Sequence, residues 1–190
     1  MHEDIQPIVL VGGRSRRFGR DKLREPIGSG ADQWLVDRPI AALRMVFGPR
    51  VAAVGECDPE VAVRFDLVIS DAHPGIGPLG GVLSALVHTD QDIFVLAGDL
   101  SALRDDDVRT ILAAAERAPD ALAVLAESNG LQPCIGLYRR GARPCLEAAL
   151  ARGDLALHAA IPPAKLVRVF IPAEHAWNVN TTSDLSNTQK

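Results

Sequence analysis

Short apolar runs alternate with helical patterns along most of this chain. Runs such as residues 8–11 and 93–97 contain almost no polar positions, which is typical of strands buried on both faces of a sheet. Between such runs lie stretches with apolar residues at helical spacing, of which residues 34–47 are the first. This alternation predicts an α/β fold whose strands pair in parallel through right-handed crossovers.

The same hydrophobic pattern predicts the individual strands and helices. Strands are predicted at residues 8–11, 51–54, 67–69, 93–97, 121–125, 133–138 and 166–170. Helical stretches are predicted at 34–47, 58–63, 142–152 and 155–161, with two more beginning near 79 and 105. The sequence Ser-Asn-Gly at 128–130 is a hairpin-type turn, so the strands on either side of it are expected to be antiparallel and the sheet mixed.

Composition restricts the class of protein. A length of 190 residues fits one domain, and 47% hydrophobic with 23% charged residues is ordinary for a globular protein. No stretch has the roughly 18 apolar residues of a membrane span. The net charge of −4 argues against general nucleic-acid binding. The acidic start, Met1-His2-Glu3-Asp4, lacks the cationic region of a signal peptide, so we expect a cytoplasmic protein. The three cysteines and five histidines show no metal-ligand spacing.

The first predicted strand leads into a glycine-rich, cationic loop. Gly12 and Gly13 are followed by five cations: Arg14, Arg16, Arg17, Arg20 and Lys22. Open α/β sheets bind ligands at the carboxyl ends of their strands, and backbone N–H groups and cations bind phosphate oxygens. The loop therefore predicts a polyphosphate site, with a solvated basic loop as the alternative. Its spacing fits neither the P-loop nor the dinucleotide-binding fingerprint.

A carboxylate follows the central predicted strand. Asp99 comes two residues after the run 93–97, opposite the cationic loop, and Mg²⁺ prefers one or two carboxylates together with phosphate oxygens. We therefore expect Asp99 to hold Mg²⁺. A second acidic group, Asp105-Asp106-Asp107, is interpreted as the cap and first turn of a helix, where negative charge offsets the helix dipole.

The loop at residues 10–22 resembles the signature loop of MobA-type nucleotidyltransferases, L-A-G-G-x-S-x-R-M-G-x-D-K, with Val11 and Phe18 as apolar departures. In that family the loop wraps the triphosphate of a nucleotide. The resemblance implies the following nucleotide-binding residues in the loop: Leu10, Val11, Gly12, Gly13 and Lys22.

Two further blocks continue the resemblance on the nucleotide side. Residues 77–81 match G-P-L-x-G, and the aspartate shortly before that block, here Asp71, contacts the base in guanine-using members. The alternative is that Asp71 caps local backbone. Gly98-Asp99-Leu100-Ser101 resembles G-D-M-P, which implies that Asp99 is the catalytic metal-binding aspartate and that Ser101 replaces a proline.

The remaining blocks resemble the acceptor side. Residues 132–138 are similar to Q-P-L-x-A-L-Y, and the arginines that follow, Arg139 and Arg140, either meet an anionic acceptor or are solvated. Residues 178–185 resemble N-I-N-T-P-x-D-L, which implies that Asn178 and Asn180 serve a metal shell or an acceptor phosphate. The same stretch is also expected to cap a final helix through Thr181 or Thr182.

The resemblance implies a single nucleotidyltransferase domain over residues 1–190, a Rossmann-like three-layer α/β/α fold with a mostly parallel, mixed sheet. It implies Mg²⁺-dependent transfer of a nucleoside monophosphate to a phosphorylated acceptor with release of pyrophosphate. A terminal phosphate is largely dianionic at neutral pH, so no general base is needed. We expect Lys22 and the loop arginines, Arg16 among them, to stabilise the negative charge that develops on the α phosphate and the pyrophosphate.

The first choice of substrates is GTP and the molybdopterin cofactor, with transient contact to molybdenum-insertion or molybdoenzyme partners and no nucleic acid or membrane. One alternative is a cytidylyl- or sugar-phosphate nucleotidyltransferase, because Val54-Gly55-Glu56 lacks the asparagine that guanine-using relatives often carry there. Another is a non-catalytic nucleotide-binding relative, which the Pro-to-Ser change at Ser101 and the unusual residues 32–34 motivate.

Overall fold

A single mixed sheet organises the part of the chain that the structure, a computed structural model, describes: residues 4–12, 21–27, 33–179 and 184. In those ranges the strands are β1 (Ile5–Leu10), β2 (Ala52–Val54), β3 (Leu67–Ile69), β4 (Asp92–Ala97), β5 (Ala123–Ser128), β6 (Gly130–Tyr138) and β7 (Leu166–Phe170). The α-helices are α1 (Asp37–Phe47), α2 (Pro59–Ala62), α3 (Pro78–Thr89), α4 (Asp105–Arg117) and α5 (Arg143–Ala151). Short 3₁₀ turns lie at Lys22–Arg24, Arg140–Ala142, Leu157–Ala159 and Pro163–Lys165.

The strand order is β3-β2-β1-β4-β6-β5-β7. The first four strands in that order are parallel, β6 is antiparallel to both β4 and β5, and β7 is parallel to β5. Helices α1 and α4 pack together on one face of the sheet, and α3 and α5 pack together on the other. This confirms the predicted three-layer α/β class with a mostly parallel, mixed sheet.

The central strands are apolar over residues 7–10 and 93–97, because both of their faces are covered there. In β1 and β4, Val9 and Leu96 pack with the α1 and α4 side, whereas Ile8 and Val95 pack with the α3 and α5 side. All four side chains are fully buried. Successive strand residues point to opposite faces, so polar residues are disfavoured where both faces of a strand are covered by helices.

Two predicted helices are shorter than expected. The helix predicted from residue 34 begins at Asp37, because Trp34 forms an antiparallel bridge with Pro26 and its N–H donates to the Asp37 carboxylate at 2.8 Å. The helix predicted over 155–161 is only a 3₁₀ turn, Leu157–Ala159. Pro162 follows this stretch closely, and the residue before a proline avoids the α conformation.

The other element predictions hold with small shifts. Strands β3 and β7 have the predicted bounds, whereas β1 ends at Leu10 and β5 runs later than expected because the hairpin pairs Ser128 with Gly130. The three aspartates lie in the first turn of α4, where the Asp107 carboxylate accepts from the Arg104 N–H at 3.0 Å. None of the described helices is long and apolar enough to cross a membrane.

Candidate functional site

The carboxyl ends of β1, β2 and β4 meet at one edge of the sheet, and the predicted phosphate loop begins there. The Gly98 N–H donates to the Leu10 carbonyl at 3.0 Å, and the Val11 N–H donates to the Val54 carbonyl at 3.0 Å. Gly12 is exposed at the same edge. The loop therefore leaves the sheet between its two neighbouring strands, at the place where open α/β sheets bind ligands.

Two glycines allow this close approach. Gly55 follows β2 with φ +111°, and a Cβ atom on it would lie 2.6 Å from the Gly12 nitrogen. A side chain at Gly55 would both strain the backbone and push the start of the loop away from the sheet. The pair fixes where the glycine turn leaves the strand.

Lys22 and Asp99 face each other at this edge although they are 77 residues apart in sequence. Asp21 accepts from the Leu23 N–H at 3.0 Å and so caps the 3₁₀ turn that begins at Lys22. The Lys22 ammonium donates to the Asp99 carboxylate and, at 3.3 Å, to the Val179 carbonyl. The Lys22 and Asp99 side chains are only 22% and 16% exposed. A cation and a carboxylate thus share one partly buried crevice.

Asp99 suits a divalent metal that is shared with a substrate. The described ranges contain no group of three or more histidine, cysteine, aspartate or glutamate side chains able to enclose a metal ion. A single carboxylate beside bound phosphate is an arrangement that Mg²⁺ favours, because this ion keeps waters and takes phosphate oxygens as ligands. The residues present therefore fit Mg²⁺ bound together with a nucleotide.

A C-terminal segment closes the crevice beside Asp99. Leu100 forms an antiparallel bridge with Asn178, flanked by the Val179 N–H donating to the Asp99 carbonyl at 3.0 Å and the Ser101 N–H donating to the Trp177 carbonyl at 3.3 Å. Asn178 is therefore brought next to the site. A proline at position 101 could not make the Trp177 bond, so the serine that departs from the family pattern adds a tie to this segment.

The Asp71 carboxylate has local partners. One of its oxygens accepts from the His73 N–H at 2.8 Å and from the Ser84 hydroxyl at 3.0 Å. These bonds fit the interpretation that Asp71 caps local backbone, and its contact with a base stays a prediction. Of the candidate site residues, Gly13, Arg16 and Asn180 lie outside the described ranges. So do the other loop arginines, Arg14, Arg17 and Arg20, and the helix cap predicted at Thr181 or Thr182.

Arg139 and Arg140 lie at the opposite edge of the sheet, so the acceptor interpretation was wrong for them. Tyr138 pairs with Ile93 near the start of β4, away from Asp99. The Arg139 guanidinium donates to Asp92 and to two backbone carbonyls, and Arg140 pairs with Asp90. Both arginines join elements of the fold.

Sequence reasoning missed two residues connected with the site. The pairing of Leu96 with Ile135 puts Cys134 next to the carboxyl end of β4. Burial, and secondarily the charge of the Asp99 carboxylate, raise the pKa of the Cys134 thiol to about 12. His175 Nδ1 lies 3.0 Å from Asp107 Oδ1 and joins the C-terminal segment to α4. Neither residue shows a metal-ligand or catalytic spacing in the sequence. The one available signal was that Cys134 lies two residues after Gln132, in the block assigned to the acceptor side.

Comparison with known proteins gives the family. The model of the MobA-like NTP transferase domain matches residues 7–165. A probable molybdenum cofactor guanylyltransferase of Chloroflexus aggregans is 30% identical, over 100% of this chain and 95% of the relative. A molybdenum cofactor guanylyltransferase of Mesorhizobium japonicum is 34% identical, over 81% of this chain and 76% of the relative. The crystal structure of molybdopterin-guanine dinucleotide biosynthesis protein A from Archaeoglobus fulgidus superposes with a TM-score of 0.73, at 22% identity and covering 97% of this chain and 96% of that one. This chain belongs to the family of MobA-like NTP transferase domains.

Proposed function

We propose that this chain is a Mg²⁺-dependent nucleotidyltransferase that transfers GMP from GTP to the molybdenum-molybdopterin cofactor, acting as a single domain over residues 1–190. The observation that carries the proposal is the meeting of Lys22 and Asp99 at the carboxyl edge of β1 and β4. The names of relatives that align with most of the chain support the choice of GTP and of the acceptor.

The reaction needs alignment and charge neutralisation. A terminal phosphate oxygen of the acceptor attacks the α phosphorus of GTP, the bond between that phosphorus and the bridging oxygen breaks, and pyrophosphate leaves with the bond electrons. The acceptor phosphate is already largely dianionic at neutral pH, so no side chain has to remove a proton. The protein contributes by aligning the two phosphates and stabilising the charge on the leaving group.

Each site residue then has a defined part. Leu10, Val11, Gly12 and Gly13 form the start of the loop that receives the triphosphate. Lys22 and Arg16 stabilise the charge that develops on the α phosphate and pyrophosphate, and for this the Lys22 ammonium exchanges the Asp99 carboxylate for phosphate oxygens. Asp99 holds Mg²⁺, which when bound neutralises phosphate charge. Asp71 reads the guanine base, and Asn178 and Asn180 serve the acceptor side.

Pyrophosphate release and dinucleotide formation test the proposal. The protein is incubated with Mg²⁺, molybdenum-molybdopterin and each of GTP, CTP, ATP and UTP in turn, and products are separated by chromatography. We expect product with GTP, and a rate about 10²–10³-fold lower for Asp99→Asn and for Lys22→Ala.

The control is Arg143→Leu, which removes a surface ion pair with Glu147 on α5 and should leave the rate unchanged. Product with CTP alone would support a cytidylyltransferase instead. Equal pyrophosphate release by the wild type and both site variants would support a non-catalytic nucleotide-binding protein.

A further inference from the structure

Beside the site, two arginines stack on one tryptophan. The guanidinium carbons of Arg24 and Arg64 lie 5.2 Å and 3.9 Å from the centre of the Trp34 ring. Each arginine is also paired with acids: Arg24 with Asp58 at 3.0 Å, and Arg64 with both carboxylate oxygens of Asp37 at 2.7 Å. We call these five residues the Trp34 cluster.

The Trp34 cluster is attached directly to the turn that carries Lys22. In the 3₁₀ turn Lys22–Arg24, three consecutive side chains point in three directions: Lys22 to Asp99, Leu23 into the core, and Arg24 to Trp34. Residues in such a turn repeat every third position, so Lys22 and Arg24 cannot share a face. The direction of Arg24 therefore determines the direction of Lys22.

The acids of the cluster connect this turn to two other elements. Asp58 caps α2 through the Glu60 N–H at 2.8 Å, and its own N–H donates to Asp21 at 3.4 Å, so the α2 cap and the cap of the Lys22 turn are joined. Arg24 also pairs with Glu60. On the other side, Asp37 in the first turn of α1 accepts from the Trp34 N–H at 2.8 Å.

We propose that the Trp34 cluster positions Lys22: Arg24, clamped between Trp34 and the acids of α2, fixes the turn so that the Lys22 ammonium enters the crevice at Asp99. This rests on the function proposed above, which it deepens by assigning positioning residues to its lysine. An arginine is well suited to hold a turn in place. Its planar guanidinium pairs with carboxylates at its edge and contacts an aromatic ring with its face, and the two interactions together fix its orientation.

Chemical labelling of Lys22 tests the proposal without any nucleotide. The chain has three lysines, Lys22, Lys165 and Lys190. Acetylation by an N-hydroxysuccinimide ester, followed by peptide mass spectrometry, gives the rate at each. We expect Arg24→Leu and Trp34→Leu to raise the rate at Lys22 about tenfold relative to Lys165, because a released turn exposes the amine that Asp99 now shields. Arg24→Lys and Trp34→Phe should fall in between, and Arg143→Leu should change nothing.

Kinetics and a double-mutant cycle test whether Arg24 affects nucleotidyl transfer through Lys22. We expect Arg24→Leu to lower kcat about tenfold while KM for GTP changes less than threefold, since a displaced lysine weakens mainly the interactions of the transition state. In a Lys22→Ala background, Arg24→Leu should lower kcat less than twofold, because its effect passes through Lys22.

Unchanged Lys22 labelling in both Leu variants would overturn the proposal, and so would effects of Arg24→Leu and Lys22→Ala on kcat that simply multiply. Thermal unfolding of each variant accompanies the measurements, and the lysine and phenylalanine variants keep the test valid if a leucine variant does not fold. A wild type that transfers no nucleotide contradicts the proposed function alone, because the labelling result still decides the positioning of Lys22.

Discussion

Two serines near the site, both buried, have opposite hydrogen-bonding environments. The Ser84 hydroxyl donates to Asp71 and accepts from the Ala72 N–H, both at 3.0 Å. The Ser101 hydroxyl has no partner among the residues that the structure describes. A buried polar group without a hydrogen bond costs free energy on folding, whereas a satisfied one contributes to stability.

We therefore expect Ser101→Ala to raise the free energy of unfolding by about 1 kcal/mol, because it removes an unsatisfied hydroxyl and keeps the backbone bond to Trp177. Ser84→Ala is the matched control and should lower it by about 1 kcal/mol. Urea unfolding followed by circular dichroism measures both. A loss at Ser101 equal to that at Ser84 would show that its hydroxyl has a partner after all.

Asp66 makes the free energy of unfolding depend on pH in a direction that can be predicted. The N–H of Val51 donates to its carboxylate at 3.1 Å, and this bond, with a smaller contribution from Arg44, lowers the pKa of Asp66. A carboxyl whose pKa is lower in the folded state stabilises the fold above its unfolded pKa of about 3.9, and this contribution is lost as the pH falls through the folded value.

We expect Asp66→Asn to be less stable than the wild type at pH 6, and the difference to shrink as the pH is lowered below 4. Urea unfolding at a series of pH values measures it. A difference that stays constant over this range would show that the negative charge of Asp66 contributes nothing, and that only the shape of its side chain matters.

At the scale of elements, the contact between the ends of β1 and β2 decides where the phosphate loop begins. The Gly12 and Gly55 backbones touch, and Gly55 has a positive φ that side chains rarely adopt. Gly48, at the end of α1, also has a positive φ, +90°, but nothing lies within 4 Å of its missing Cβ. A comparison of Gly48 with Gly55 therefore separates the cost of backbone strain from the cost of crowding.

We expect Gly48→Ala to lower the free energy of unfolding by about 1 kcal/mol through strain alone, and Gly55→Ala to lower it by about 3 kcal/mol because strain and crowding add. Only Gly55→Ala should also weaken GTP binding, by displacing the loop. Urea unfolding and calorimetry measure the two effects. Equal losses, with GTP binding intact in both, would mean that the loop tolerates a shift at this point.

The sequence made some elements predictable and left others hidden. Strands buried on both faces are continuous apolar runs, so β1 and β4 were recognisable, and the strand-end rule placed Lys22 and Asp99 together despite their distance in sequence. The start of α1 was misjudged because Trp34 is held outside the helix by its bridge to distant Pro26 and by its N–H bond to Asp37. The bridge between Leu100 and Asn178 was likewise out of reach, since no local pattern specifies a single pairing between distant segments.

At the scale of the whole molecule, the site is built from segments spread along the chain. The crevice takes Lys22 from the turn after the first strand, Asp99 from the end of β4, and Val179 from near the C-terminus. These segments meet only when β1, β2 and β4 are paired. Unfolding of the sheet and loss of the site are therefore one event, and any ligand of the crevice must stabilise the entire fold.

This linkage makes stability a measure of the proposed ligand. With Mg²⁺ and GTP at about 100 times the Kd, the free energy of unfolding should rise by about 2.7 kcal/mol. For a domain of this size, that raises the midpoint of thermal unfolding by about 5–10 °C. The rise should shrink when a chelator removes Mg²⁺, and Asp99→Asn should abolish its Mg²⁺-dependent part, because that variant loses the carboxylate that holds the ion. Arg143→Leu should keep the full rise. A rise in Asp99→Asn as large and as Mg²⁺-dependent as in the wild type would place the metal away from this carboxylate, and with it the site away from the crevice at Lys22.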